Sequence, residues 1–264
     1  MYRATIMRIT VKEEEEGRFE AQCTEQVARV WEGEPHSCLY VFVRRDPVGS
    51  SLLPRPRSER REYLHLQAYA TQEADAHQQG RSDESWLRIL RTFQGGTWES
   101  ESYLPGEMVA GISRDWTWNA DLYRFAVHRF QAREGVGADL EGHMVHQIGI
   151  VTKGEPGTPL YTFCRRTQEG SELLPTPRQG RSEYLHLAAF STEQAYDEHA
   201  ALARRKDGHW AWASTFPPYL DAPLVNESFY GGSVVCGFSR NAQWGAVPGD
   251  VDIPPLTPDV ALPS

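Results

Sequence analysis

Residues 52–68 and 173–189 carry the same passage twice. Leu52-Leu53-Pro54-Arg55-Pro56-Arg57 returns as Leu173-Leu174-Pro175-Thr176-Pro177-Arg178, and Glu62-Tyr63-Leu64-His65-Leu66 returns as Glu183-Tyr184-Leu185-His186-Leu187. The step from Pro54 to Pro175 and from His65 to His186 is 121 residues in both cases. The match runs back through Gly33-Glu34-Pro35 and Gly154-Glu155-Pro156, then Leu39-Tyr40 and Leu160-Tyr161, to Tyr2-Arg3 and Tyr123-Arg124. After a small insertion in the second copy, Gly111-Ile112-Ser113-Arg114 answers Gly237-Phe238-Ser239-Arg240. Solenoid units run to roughly 20–50 residues, so a step this long is a whole small domain duplicated and fused. A functional site is therefore expected where two pseudo-equivalent halves meet.

The 264 residues carry a formal charge of −9, which argues against a nucleic-acid surface, since such surfaces show a basic excess. Cys23, Cys38, Cys164 and Cys236 have no CxxC spacing and read as buried thiols of a reducing compartment. The N-terminal residues contain no long apolar run of the signal-peptide type. No stretch approaches the roughly 18–20 apolar residues of a membrane span. A soluble, cytoplasmic protein is the expectation, either a monomer with pseudo-dimeric halves or a homodimer of such chains.

Periodicity outlines each half. Residues 2–11 alternate as a strand does and meet the acidic run Glu13–Glu16. Residues 18–31 have helical spacing, with Phe19, Cys23, Val27 and Val30 on one face, and Gly33 and Pro35 stop them. Leu39–Val43 reads as a short apolar strand, and a loop with three prolines and Gly49 follows. Tyr63–Tyr69 alternates cleanly. Thr71 is a plausible N-cap for a helix into the eighties, and Met108–Ile112 is expected to close the unit as its fourth strand.

The order β-α-β-β-α-β is the ferredoxin-like split βαβ motif. Its sheet has helices on one face only, and two such sheets facing each other bury both open faces. The expected fold is α+β: two ferredoxin-like repeats, residues 1–118 and 119–244, fused into an intramolecular barrel, with a proline-rich extended tail over 245–264.

The segment Glu183-Tyr184-Leu185-His186-Leu187 running on to Ala195 and His199 resembles the antibiotic biosynthesis monooxygenase family. In that family the third strand leads into a helix whose first turn has an alanine and, four residues on, a histidine. The first copy departs from the pattern, because Gln78 stands where His199 maps, with His77 beside it. The resemblance implies a dimeric α/β barrel of a group that includes cofactor-independent oxygenases of polyketide pathways and haem-degrading enzymes, alongside members with no assigned chemistry.

Within Tyr63–Tyr69, Leu64, Leu66 and Ala68 form one stripe, and Tyr63, His65, Gln67 and Tyr69 the other. The aliphatic stripe suits the helices, which would turn Tyr63, His65 and their counterparts Tyr184 and His186 into the space between the sheets. There histidine would accept a proton and tyrosine would orient a phenolic substrate, as an oxygenase without flavin or metal requires. The same pattern also suits strand histidines bonded to backbone or tyrosine partners. His128 stands where the first half has Met7, an asymmetry that suits specialisation of one of two ancestral sites. His128, His199, Arg57 and Arg178 are the candidate substrate-binding residues, the arginines for a carboxylate or phosphate. His143 and His146 share a helical face but lack a third metal ligand. The eight tryptophans suit either a flat-ligand pocket or packing between sheets.

No GxGxxG, P-loop, GxSxG or HExxH motif is present. The expected function is a cofactor-independent oxygenase acting on an aromatic small molecule. The alternatives are a haem protein, with His65, His128, His186 or His199 as iron ligand, and a non-catalytic small-molecule binding module.

Overall fold

The structure, a computed structural model, describes residues 1–45, 60–81, 93, 99–103, 107–166, 182–203, 216–221, 225–230 and 232–246. The loops carrying Arg57 and Arg178, and the tail beyond 246, lie outside the described residues.

The first half runs β1 (Arg3–Lys12), α1 (Glu16–Gly33), β2 (Ser37–Arg44), β3 (Arg60–Tyr69), α2 (Gln72–Arg81), β4 (Glu99–Tyr103), β5 (Met108–Ser113) and β6 (Trp116–Trp118). The second runs β7 (Arg124–Gln131), α3 (Gly137–Gly154), β8 (Leu160–Arg166), β9 (Glu183–Phe190), α4 (Glu193–Ala203), β10 (Val225–Tyr230), β11 (Val234–Ser239) and β12 (Ala242–Gly245). Thr71 caps α2 as expected, its Oγ1 accepting the Ala74 N–H at 3.2 Å, and Thr192 does the same for α4 through Ala195 at 3.1 Å.

These strands form two six-stranded sheets, ordered β4-β1-β3-β2-β11-β6 and β10-β7-β9-β8-β5-β12. The first four strands of each order are a ferredoxin-like sheet, so the molecule is an α+β protein of two ferredoxin-like repeats joined as an intramolecular α/β barrel.

Two expectations need correction. The fourth strand of the first repeat is β4, Glu-Ser-Glu-Ser-Tyr, on β1 at the sheet edge; an edge strand that polar gives no apolar signal. Met108–Ile112 belongs instead to β5, which leaves its own repeat and pairs with β8 of the other. Flanked there by β8 and β12, it is buried along its whole length. β11 returns the exchange by pairing with β2.

The exchange is fastened reciprocally. Trp118 Nε1 donates to Ser239 Oγ at 2.9 Å, and Trp244 Nε1 donates to Ser113 Oγ at 3.1 Å. Arg240 donates to the carbonyls of Trp31, Glu34 and Ser37 at the end of α1. Arg114 does the same for Val151, Thr152 and Thr158 at the end of α3. Each arginine thus satisfies helix C-terminal carbonyls of the opposite repeat and places its charge at the negative end of the helix. Gly111 and Gly237 permit the strands to meet. A Cβ on Gly111 would lie 2.5 Å from Thr162 Cβ, and one on Gly237 would lie 2.6 Å from Val41 Cα.

The two stripes of β3 face opposite to expectation. Leu64, Leu66 and Ala68 join Leu185, Leu187 and Ala189 in one core between the sheets. Tyr63 packs instead with Phe19, Cys23 and Val30 under α1, and Tyr184 with Leu140 and Met144 under α3. The cause is polar satisfaction. Buried hydroxyls need partners, and the helices supply carboxylates: Tyr63 Oη donates to Glu20 at 3.1 Å and Tyr184 Oη to Glu141 at 2.9 Å. Among the described residues, the space between the sheets holds a cavity of about 10 Å³ lined by residues such as Ile6, Leu66, Leu185 and Trp244. That is room for about one water.

Candidate functional site

Among the described residues, chemistry-bearing groups collect on the helix-covered face of the second sheet. His186 sits midway along β9, opposite His128 on β7 and Phe163 on β8. Its ring stacks on Phe163 with centroids 4.3 Å apart and meets the edge of Tyr161 at 4.4 Å. His186 Nδ1 lies 2.9 Å from His128 Nδ1. Only 6% of His186 is exposed, and its buried Nε2 has no hydrogen-bond partner among the described residues. His128, on β7 between β9 and β10, is half-buried.

His199 descends from α4 onto the same cluster, its ring 5.1 Å from Tyr161 and 5.0 Å from Phe190. Its Nδ1 is 3.0 and 2.9 Å from the two carboxylate oxygens of Glu155. Both residues are buried, and Glu155 also accepts Thr158 Oγ1 at 3.1 Å. Electrostatics hold the strand histidines neutral. Burial pushes His128 down to about 3, with Arg124 and His199 adding to the effect. Burial, then His128 and His199, holds His186 well below the usual imidazole range. Burial and then Glu155 raise the Tyr161 hydroxyl. The arrangement is two neutral imidazoles, one with an unmatched nitrogen, beside a carboxylate-held third and walled by aromatic rings.

The first repeat has the same scaffold with a different outcome. His65 is fully buried and stacks on Phe42 at 4.1 Å, with Tyr40 at 4.5 Å. Its Nδ1 is 3.1 Å from the Val41 carbonyl and its Nε2 is 3.3 Å from Gln67 Oε1, which also accepts Tyr69 Oη at 2.9 Å. Burial lowers it to about 4. In the second repeat Ala188 stands in place of Gln67 and Phe190 in place of Tyr69, so the polar partner at Nε2 is gone. His128 has replaced Met7, and His199 stands where Gln78 does.

Tyr63 and Tyr184 are held alike in both copies, each on a helix glutamate that also pairs with an arginine, Arg44 to Glu20 at 3.2 Å and Arg165 to Glu141 at 2.9 Å. Carboxylate neighbours and burial raise both hydroxyls. His143 bonds Tyr219 through Nε2 at 3.0 Å, and among the described residues no group of three or more His, Cys, Asp or Glu is placed to hold a metal ion. All four cysteines are buried and in no disulfide. Two members of the cluster, Glu155 and Tyr161, were not picked out from the sequence. Both are common to the two repeats, and what distinguishes them is only the histidine that topology brings alongside.

No protein-family model matches the sequence, and a search of curated proteins finds no match. Among solved structures, a provisionally assigned monooxygenase from Lactobacillus acidophilus matches with TM-score 0.62 and 10% identity, covering 94% of this chain and 97% of its own. A second, from Fusobacterium nucleatum, gives 0.61 and 11%, covering 92% and 97%. At such identities the likeness establishes the fold. No helix among the described residues is long and apolar enough to cross a membrane.

Proposed function

We propose that this protein is an oxygenase-type enzyme acting on a planar aromatic or polyketide-like small molecule, with its reactive centre at His186, His128 and His199 of the second repeat. The observation that carries the reading is the buried His186 Nε2 with no partner among the described residues. A desolvated polar atom costs about 1–3 kcal/mol when unmatched, and a substrate hydroxyl or acidic C–H would complete it. The aromatic walls of Tyr161, Phe163 and Phe190 suit a flat ring system.

In this reading His186 Nε2 takes a proton from the substrate, forming an N–H bond and leaving the bonding pair on the substrate as an anion. The anion transfers electrons to dioxygen and forms a C–O bond. With a proton returned, the product is a hydroperoxide, and loss of water turns a CH₂ into a carbonyl. One oxygen atom enters the product and the other leaves as water. His199, held by Glu155, orients the substrate. His65, Tyr63 and Tyr184, whose polar atoms have partners in the protein, serve the scaffold in this account.

A second reading is haem binding, favoured by the His199–Glu155 contact, since a carboxylate on one imidazole nitrogen strengthens the other as an iron ligand. Haem would then supply iron-based oxygen chemistry, with His199 as its ligand. The test is an absorption spectrum of protein expressed aerobically with haem supplied, followed by oxygen uptake with polycyclic phenols. The proposal predicts no Soret band and substrate-dependent uptake. A stoichiometric Soret band favours haem, and phenol binding without uptake favours a non-catalytic module.

A further inference from the structure

The base proposed above is sealed in, and a proton taken there needs a way out. We infer that His128 is a proton-relay residue, carrying the proton accepted by His186 to the more exposed neighbouring strand. The inference rests on the reading of His186 as the base, and its geometry is specific. Two Nδ1 atoms at 2.9 Å share one proton, because two lone pairs would repel and two N–H groups would collide. When that proton resides on His186 Nδ1, His186 Nε2 carries a lone pair and is ready to accept.

Proton transfer then runs in one direction. A new N–H bond forms at His186 Nε2, the N–H bond at His186 Nδ1 breaks, and that proton joins His128 Nδ1. His186 ends neutral with its proton on Nε2, and His128 becomes the imidazolium. The charge has moved from a residue 6% exposed to one that is half-buried and nearer solvent. The substrate anion is left beside a neutral ring, not beside the acid that would reprotonate it.

The groups around the pair favour passage over storage. On its own strand His128 faces the Arg124 guanidinium, which bonds Ser228 Oγ at 2.8 Å and lies over the Tyr196 ring. From α4 it faces His199, and from β8 His186 faces the Tyr161 ring. The nearby carboxylate, Glu155, is engaged by His199. Repulsion from Arg124 makes the His128 imidazolium short-lived, so it yields its Nε2 proton to water. The first repeat has no such relay: Met7 occupies the place of His128.

The relay can be read without knowing the substrate. In ¹⁵N-histidine-labelled protein, NMR should find one protonated nitrogen in the Nδ1 pair, and the His186 ring proton should exchange readily with solvent. His128→Met, which installs the residue of the first repeat, should slow that exchange at least tenfold with backbone amide protection unchanged. His128→Gln, which keeps a hydrogen bond but passes no proton, should do the same. Unchanged exchange in both variants, or two unprotonated Nδ1 atoms in the parent protein, would overturn the relay. The underlying reading is judged separately by oxygen uptake: uptake that survives in His186→Phe removes His186 as the base whatever the exchange rates show.

Discussion

His65 and His186 occupy one position in two copies of the same strand, yet both ring nitrogens of the first lie beside protein oxygens, one of them donating, and Nε2 of the second has no partner among the described residues. Replacing each with phenylalanine separates structure from function. His186→Phe should change stability by less than about 0.5 kcal/mol, because removing the unmatched Nε2 offsets the Nδ1 hydrogen bond lost by His128, while the ring stack on Phe163 is kept. His65→Phe should cost about 1 kcal/mol, because it removes the one hydrogen bond the neutral ring donates, to the Val41 carbonyl or to Gln67. Urea midpoints measure both, and equal losses would place His186 among ordinary core residues. Burial also sets a pH dependence. His65, His128 and His186 have folded pKa values below the ordinary 6.5, so below pH 6.5 the unfolded chain binds more protons than the folded one. Their stabilisation is full above about pH 6.5 and falls as pH drops towards 4, by about 1.4 kcal/mol per pH unit per histidine. Urea unfolding across that window should show the decline, and a flat profile would mean these rings are solvated. The three histidines of the site were visible in the sequence. Their convergence was not, because His128, His186 and His199 lie on three elements that only tertiary pairing brings together.

At the scale of elements, the exchanged strands β5 and β11 depend on glycine. Gly111→Ala should cost about 2 kcal/mol, since its Cβ would meet Thr162 Cβ and backbone at under 3 Å. Gly237→Ala, meeting Tyr40 and Val41 backbone atoms, should cost as much. Thermal or chemical unfolding tests both, and losses under about 0.5 kcal/mol would mean that the strands do not approach as described. β1, α1, β2 and β3 were legible because their apolar periods are unbroken. β4, an edge strand of alternating Glu and Ser, carries no such period. β5 was legible as a strand but not in its destination, since its partner β8 lies in the other repeat. The alternation of β3 separated its two stripes correctly and said nothing of which one a helix would cover. That was decided by the need of Tyr63 and Tyr184 for the carboxylates of Glu20 and Glu141.

At the scale of the whole molecule, fusion frees two copies of one scaffold to diverge. Arg114 and Arg240, Trp118 and Trp244, and Tyr63 and Tyr184 make matching contacts in both. The differences around the histidines fall on the helix-covered faces, where Met7, Gln67 and Tyr69 in one repeat become His128, Ala188 and Phe190 in the other. The central claim is that one scaffold keeps a satisfied core histidine while the other keeps a reactive one. The measurement that tests it most directly is oxygen uptake with a polycyclic phenol by His186→Phe and His65→Phe, each compared with the parent protein at equal folded concentration. The account predicts a loss of at least a hundredfold in His186→Phe and a change of less than threefold in His65→Phe. Equal losses in the two variants, or activity retained in His186→Phe, would contradict it.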